Sequence, residues 1–463
     1  MRVMKFGGTS VGDAERFQWV AGLIAQHRAA DPQLVVVVSA MAGVTDALIR
    51  MSQRAACGEP DWRAALTALR DRHLRTVQAL GLSEGEARAL QAELEGGFER
   101  VETILRAVAA LGELSPATAD LVAGMGERWS ARILAAALRA LGIPSQAVDA
   151  DTFLITDDRF GEASPDLEQT RARARAVLLP LLEEGILPVV TGFIGATPEG
   201  RPTTLGRGGS DFSATILGYA LDAEAVWIWT DVNGVMSADP KIVPNARTIP
   251  ELSYIEAAEM AYFGAKVLHP RTLLPCIDRR IPVRILNTMN PQHPGTWIVP
   301  EPQGNGQVKA VTLIKNLSLI TVEGRGMLGV PGVAARTFAT VAELGVSVLM
   351  ISQSSSEQNI CFVIPAAAAA RVVGALRKAF EREMARRDIE DIWAMDRVAV
   401  IAVVGAGLRA TPGIAARVFN ALGNGRINVL SIAQGSSEYN LSLVVAESEA
   451  EEAVRRIHAA FYG

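Results

Sequence analysis

Only three cysteines occur in 463 residues, Cys57, Cys276 and Cys361. They lie far apart with no C-x-x-C spacing, which excludes a disulfide framework and a cysteine-built zinc site and fits a reducing compartment. Aromatic residues make up 5% of the chain, and no block of lysine or arginine is interleaved with them. With a net charge of -5, that leaves no general attraction to nucleic acid or to an anionic membrane. Long apolar runs are also missing. The longest, LVVVVSAMAGV at 34–44, is too short to span a bilayer and reads as a buried strand followed by a turn. The first residues lead into a glycine motif with no apolar h-region or cleavage site, so no signal peptide is expected and the cytoplasm is the expected compartment. A P-loop, GxxxxGK[ST], is absent, and GAGLRA at 405–410 fails the full GxGxxG spacing.

What is present is enough for ordinary globular cores, with 49% apolar and 21% charged residues, and the length suggests two to four domains. Up to about residue 300, the short runs VMKFGG, QLVVVVSA, ILPVVTGF, AVWIWTDV and VRILNT alternate with Ala/Leu/Arg-rich segments of helical period. This pattern predicts an α/β domain with a mostly parallel sheet sandwiched by helices. Residues 61–142 carry almost no strand signal and read as a helical section. EPQGNGQ at 301–307 has the composition of a linker.

Beyond it the chain repeats itself. Residues 317–364 align without a gap to 398–445 at a constant offset of 81, pairing Pro331 with Pro412, Arg336 with Arg417, Gln353 with Gln434, Glu357 with Glu438 and Asn359 with Asn440. Each copy reads strand, helix, strand, strand, helix, which is most of a ferredoxin-like sandwich. The second copy is one element short, and the apolar run VKAVTLI at 308–314 is expected to complete it, so that the first copy is inserted in the second. The expected division is 1–300, a linker at 301–307, a completing strand at 308–315, a first unit at 316–390 and a second at 391–463.

Several motifs carry chemistry. KFGGTSVG at 5–12 has the parts of a phosphate cradle: Gly7 and Gly8 let oxygens approach backbone amides, Thr9 and Ser10 can donate, and Lys5 brings a positive charge. TTLGRGGSDFSA at 203–214 is a second glycine-rich turn before a helical pattern, with Arg207 as a fork suited to a carboxylate. Asp211 falls in the first turn, where it can equally serve as a cap. SAMAGVTD at 39–46 follows a buried strand and offers the hydroxyls of Ser39 and Thr45. GMGERWS at 124–130 puts Glu127 at a helix start, where a carboxylate is favoured by the dipole alone. WTDVNGVMSADPKIVP at 229–244 is a strand with a polar loop suited to an adenosine or a metal-bound phosphate, and FGAKVLHP at 263–270 adds Lys266. His269, beside Pro270, is given no role.

In this order, and followed by paired repeats, these motifs resemble aspartate kinase (aspartokinase), of the amino-acid kinase fold with tandem ACT domains. The resemblance covers essentially the whole chain. SSSEQN and QGSSEYN are most similar to the aspartokinase part of the bifunctional aspartokinase-homoserine dehydrogenases, and no dehydrogenase domain follows here, so a monofunctional enzyme is expected.

The resemblance implies transfer of the γ-phosphoryl group of ATP to the β-carboxylate of L-aspartate, giving ADP and 4-phospho-L-aspartate, the first step towards lysine, threonine and methionine. A carboxylate is already ionised at neutral pH, so no general base is needed and the obstacle is the meeting of two anions. By the resemblance, Lys5 and the amides of Gly7 and Gly8 stabilise the transferring group, Mg2+ bridges the ATP phosphates without a dedicated protein metal site, and Asp211 orients Lys5 or the reacting groups. Arg207 takes the α-carboxylate and Glu127 the α-ammonium, with Ser39 and Thr45 positioning the substrate. Thr230 and Asp231 hold adenosine, with Lys241 and Lys266 near the phosphates. Met236 stands where related enzymes often have tyrosine, and Lys241 where some have arginine. The ACT units imply a homodimer or homotetramer joined through them and a feedback amino acid, threonine favoured and lysine the alternative, contacted by Gln353, Asn359 and Gln434. Two rivals remain: a kinase for another acid such as acetylglutamate, which needs neither KFGGTSV nor tandem repeats, and a catalytically silent sensor, which has no need of Lys5, Arg207 or Asp211.

Overall fold

Runs such as LVVVV, buried at every position, suit a strand covered on both faces, and they form the middle of a parallel sheet. The computed structural model describes residues 1–264, 268–302, 308–327, 330–353, 358–408, 410–434 and 439–463. These pack as two units, one built from Met1–Val235, Pro250–Tyr254 and Val267–Pro302, the other from Met236–Ile249, Ile255–Lys266 and Gln303–Gly463.

The strands of the first unit are β1 (Arg2–Phe6), β2 (Leu34–Val38), β3 (Ser145–Val148), β4 (Leu187–Thr191), β5 (Ile194–Ala196), β6 (Pro202–Thr204), β7 (Ala225–Thr230), β8 (Glu251–Ser253), β9 (Val283–Asn287) and β10 (Thr296–Val299). Eight of them form one sheet in the order β3-β4-β2-β1-β7-β9-β10-β8, and β5 and β6 pair as a separate hairpin. All neighbours in the large sheet are parallel except β9 and β10. β1 is therefore central, with Lys5 opposite Val37 on one side and Ile228 on the other. The stretch 61–142 is helical as its periodicity predicts, with helices Trp62–Gln78, Glu84–Leu111, Pro116–Ala123 and Met125–Ala140. Their core packs Trp129 against Phe98 with ring centroids 3.9 Å apart.

The second unit holds β11 (Ala310–Glu323), β12 (Met350–Gln353), β13 (Asn359–Pro365), β14 (Asp391–Val404), β15 (Val429–Ala433) and β16 (Asn440–Ala446), in the order β12-β13-β11-β14-β16-β15. β11 and β14 are long enough to serve both repeats. The first half of β11, Ala310–Ile314, pairs antiparallel with Val400–Val404, while Leu319–Glu323 pairs with Asp391–Met395 and Leu317–Glu323 with Asn359–Pro365. Each repeat thus uses half of the other's long strand. The break between halves is marked by a left-handed residue at the same place in each copy, Asn316 (φ 61°) and Arg397 (φ 56°), 81 positions apart. The paired arginines are equivalent as well: Arg336 stacks over Phe380 at 4.5 Å and donates to Ala379 O, and Arg417 stacks over Phe461 at 4.4 Å and donates to Ala460 O.

Two segments that precede residue 300 pack in this second unit. Ala238 and Val243 join the core of the second repeat. On the helix Tyr254–Tyr262, Glu256 is 0% exposed, accepts from the Ala406 amide (2.8 Å) and pairs with Lys309 (2.9 Å), and Glu259 accepts from Asn440 Nδ2 (3.1 Å). Among the described residues no helix is long and apolar enough to cross a membrane. A buried carboxylate stripped of its cation is costly. Lys309→Met is expected to lower the stability of the second unit by about 3–5 kcal/mol in urea titration, and adding Glu256→Met to recover part of it.

Candidate active site

The carboxyl ends of parallel strands are where open α/β sheets collect ligands, and a cavity of about 660 Å3 lies there in the first unit. Lys5, Gly8, Ser39, Thr45, Glu127, Arg207 and Asp211, drawn from four separate motifs, line it together. Lys5 sits one residue from the end of β1 and is 7% exposed. Its ammonium pairs with the carboxylate of Asp211, which stands in the first turn of the helix Gly209–Ala220, where the dipole also favours a negative charge. Asp211 thus pairs with the lysine, and the helix does not use it as its cap, a place taken by Gly208. Arg207 is exposed at the cavity wall, and among the described residues no hydrogen bond or ion pair engages its guanidinium.

Glu127 lies in the first turn of Met125–Ala140. That helix can approach the loop after β2 because Gly126 has no side chain: a Cβ there would sit 2.7 Å from Ala40 Cβ and 2.9 Å from Val44 Cγ1. Glu127 is left 3% exposed, with Thr45 Oγ1 3.5 Å from Oε1 and with Oε2 lacking a hydrogen-bond partner among the described residues. Burial pushes its carboxyl up to about 7, against the opposing pull of the Ala40 amide, its own amide, the Thr45 hydroxyl and Lys5. A buried carboxylate with a spare oxygen is a receptor for a cation.

Other parts of the expected site are placed differently. The Gly7 amide donates to Trp229 O (3.1 Å), so it extends the sheet and is not spare for a phosphate. A Cβ on Gly7 would make only ordinary contact, 3.5 Å from Lys5 Nζ. The Ser10 hydroxyl is buried and bonded to Thr288 Oγ1 (2.7 Å), whereas Thr9 is exposed and its carbonyl accepts from Arg16. Thr230 ends β7, and its hydroxyl donates to Asp231 (3.2 Å). The following loop is held by Asn233, which accepts from Asn287 (2.8 Å) and Asn290 (3.3 Å). Met236 and Lys241 fall in the second unit, where Thr248 Oγ1 lies 3.5 Å from Met236 Sδ and the Lys241 amide donates to Asp239 (2.9 Å). Lys266 lies outside the described residues. Gln353 ends β12 and is exposed, Asn359 begins β13, and Gln434 follows β15. Most of the two tips between them, 354–357 and 435–438, lies outside the described residues.

Three cavity features had no motif to announce them. Arg72 ties two site loops together by donating to Ala42 O (2.9 Å) and Gly12 O (2.8 Å). Phe193, on the cavity wall, holds φ 69° with its amide donating to Ser213 Oγ (2.9 Å). Asp120, also on the wall, accepts from Gly161 N, Thr204 N and Thr204 Oγ1, each at 2.8 Å, and burial pushes its carboxyl up against those three donors. Its only sequence setting, SPATADLVAG, reads as an ordinary capped helix.

Comparison with known proteins identifies the family. Residues 1–287 match the amino acid kinase family, and 320–380 and 401–461 each match the ACT domain. Arabidopsis thaliana aspartokinase 2, chloroplastic, is 35% identical over 99% of this chain and 84% of its own. The chain belongs to the aspartokinases. Its fold is that of the E. coli aspartokinase III crystal structure with aspartate and ADP (R-state), at 33% identity and TM-score 0.84 over 100% of both chains. The E. coli enzyme with lysine and aspartate (T-state) gives 32% and 0.80, also over 100% of both. The Zea mays bifunctional aspartokinase/homoserine dehydrogenase 1, chloroplastic, is 39% identical over 99% of this chain and 50% of its own. The chain thus spans about half the length of the bifunctional relatives it matches.

The raised Glu127 carboxyl has a consequence for stability. The folded state holds its proton up to about pH 7, above the ordinary value of 4.5, so the ligand-free protein loses stability as pH rises between those values and no more beyond them. Glu127→Gln removes that loss. The variant is expected to match wild type near pH 4 and to exceed it at pH 8, by on the order of 3 kcal/mol, in denaturant titrations at the two pH values.

Proposed function

We propose that this chain is an aspartate kinase, moving the γ-phosphoryl group of ATP to the β-carboxylate of L-aspartate with ADP and 4-phospho-L-aspartate as products. The observation that carries the reading is one cavity holding an oriented ammonium at Lys5, an unpaired guanidinium at Arg207 and a buried carboxylate oxygen at Glu127. Those are the complements of a transferring phosphoryl, an α-carboxylate and an α-ammonium. The E. coli relative bound to aspartate and ADP supports it.

In this reading, Arg207 grips the α-carboxylate and Glu127 the α-ammonium, Ser39 and Thr45 position the substrate, and the β-carboxylate is directed at Lys5. The ammonium, fixed by Asp211, offsets the repulsion between the two reacting anions and stabilises charge as it redistributes. The Gly8 amide and the Thr9 hydroxyl are the phosphate donors of the first loop, and Thr230, Asp231, Met236, Lys241 and Lys266 serve the nucleotide. The donors suit a metal that arrives on the nucleotide. Asp211 is committed to Lys5, and Asp120 to three protein donors. Mg2+, usually held by phosphates, waters and one or two carboxylates, would neutralise phosphate charge.

The functional division proposed is a kinase domain at 1–300, a linker at 301–307, a strand at 308–315 completing the second ACT unit, and units at 316–390 and 391–463. Gln353, Asn359 and Gln434 are proposed to contact the feedback amino acid, threonine first and lysine second, in a cytoplasmic homodimer or homotetramer joined through the ACT units. The lysine-bound E. coli relative supports amino-acid control. The two copies are already unequal, since Asn440, the counterpart of Asn359, is spent on Glu259.

ATP and L-aspartate with hydroxylamine should give the hydroxamate, while acetylglutamate should give none. A protein inactive with aspartate would sink the reading. Lys5→Ala is expected to lower kcat by about 10²–10³, and Arg207→Ala to raise the aspartate KM by about 10- to 100-fold. For control, Gln353→Ala should raise the half-inhibitory concentration more than Gln434→Ala, with uninhibited kcat kept in both. Full feedback sensitivity in the double variant would move the effector elsewhere.

A further inference from the structure

Arg207 has no anchor of its own. It stands between two left-handed glycines, Gly206 (φ 74°) and Gly208 (φ 72°), and no side chain or carbonyl among the described residues holds its guanidinium. Its place is therefore set by the backbone on either side. On the helix side, the start of Gly209–Ala220 is wedged against Phe193, with a Cβ on Gly209 falling 2.6 Å from the Phe193 ring. On the strand side, Thr204 ends β6, and both its amide and its hydroxyl donate to Asp120, to Oδ2 and Oδ1 respectively. The same Oδ2 accepts from the Gly161 amide. The 161 loop presses on the turn itself, since a Cβ on Gly206 would meet Gly161 O at 2.9 Å. One carboxylate, 5% exposed, thus joins the helix Pro116–Ala123, the 161 loop and the strand that delivers Arg207.

We propose that Asp120 is the positioning residue for substrate recognition, acting through Arg207: its three hydrogen bonds fix the Thr204–Gly208 turn so that the guanidinium is presented to the α-carboxylate of the acceptor. This rests on the aspartate kinase reading for its substrate. The geometry explains why an acceptor-only group stands there, because all three partners donate and two of them are backbone amides that cannot adapt. Asparagine can reproduce most of it. Its carbonyl oxygen can take the two amides while its NH2 group donates to Thr204 Oγ1, whose hydroxyl turns to accept. Alanine cannot.

The test is a set of variants measured for aspartate KM, ATP KM and kcat, with hydrogen exchange of residues 205–209 read in parallel. Asp120→Ala is expected to raise the aspartate KM at least tenfold with the ATP KM within twofold of wild type, and Asp120→Asn to restore it to within about threefold. Because Asp120 acts through Arg207, Asp120→Ala combined with Arg207→Ala should be no worse in aspartate KM than Arg207→Ala alone. Exchange at 205–209 should quicken in Asp120→Ala and not in Asp120→Asn. Additive losses in the double variant would overturn the proposal, as would equal damage to both substrates' KM values. If Asp120→Ala does not fold, Thr204→Val, which removes one of the three bonds, is expected to raise only the aspartate KM, and an unchanged value overturns the proposal. A wild-type protein that ignores aspartate would overturn the kinase reading alone. The exchange arm would then decide the positioning claim, with unchanged exchange in Asp120→Ala rejecting it.

Discussion

A lysine ammonium on the central strand of a doubly covered parallel sheet survives only with a counter-charge, and the rest of the site is arranged around that need. Lys5 lies one residue inside the end of β1, 7% exposed, and Asp211 answers it from the first turn of a helix whose dipole already favours an anion. The pair fixes where the helix Gly209–Ala220 must begin relative to β1, and with it the turn that carries Arg207. The loop after β2 and the helix start at Glu127 close the other side, brought together by the missing side chain of Gly126. The result is a pocket with separate regions of positive and negative potential, a pattern complementary to a zwitterion.

The two unpaired charges complement each other in cost. Glu127 is destabilising when ionised and unfilled, and Arg207 gains nothing from the protein around it. Both become favourable only with a ligand that presents an ammonium and a carboxylate at the right separation.

The parts of this arrangement that were legible in the sequence are those written locally. Glycine spacing marked the turns at Gly7, Gly8 and 206–209, apolar runs marked the parallel strands, and the constant offset of 81 marked the repeat, down to the equivalent arginines 336 and 417. What could not be read depends on partners distant in the chain. Ser10 looks like a phosphate donor until Thr288, 278 residues away, takes its hydroxyl, and the Gly7 amide looks spare until Trp229 accepts from it. Asp120 looks like one polar residue of a short helix, yet its donors lie 41 and 84 residues downstream. Periodicity and capping report a residue's own element and say nothing of which side chain the fold brings to it.

The same distinction applies to the make-up of the second unit. The strand β7, which ends in Thr230, continues without a break into a loop whose Ala238 and Val243 are packed in the core of the second repeat. A few residues on, the helix Tyr254–Tyr262 aims Glu256, Glu259 and Tyr262 along one face. These bind the Ala406 amide, the Asn440 amide group and Val348 O, so both repeats are engaged by one helix. The sequence stretch that matches the amino acid kinase family is in this way partly built from the fabric of the ACT unit.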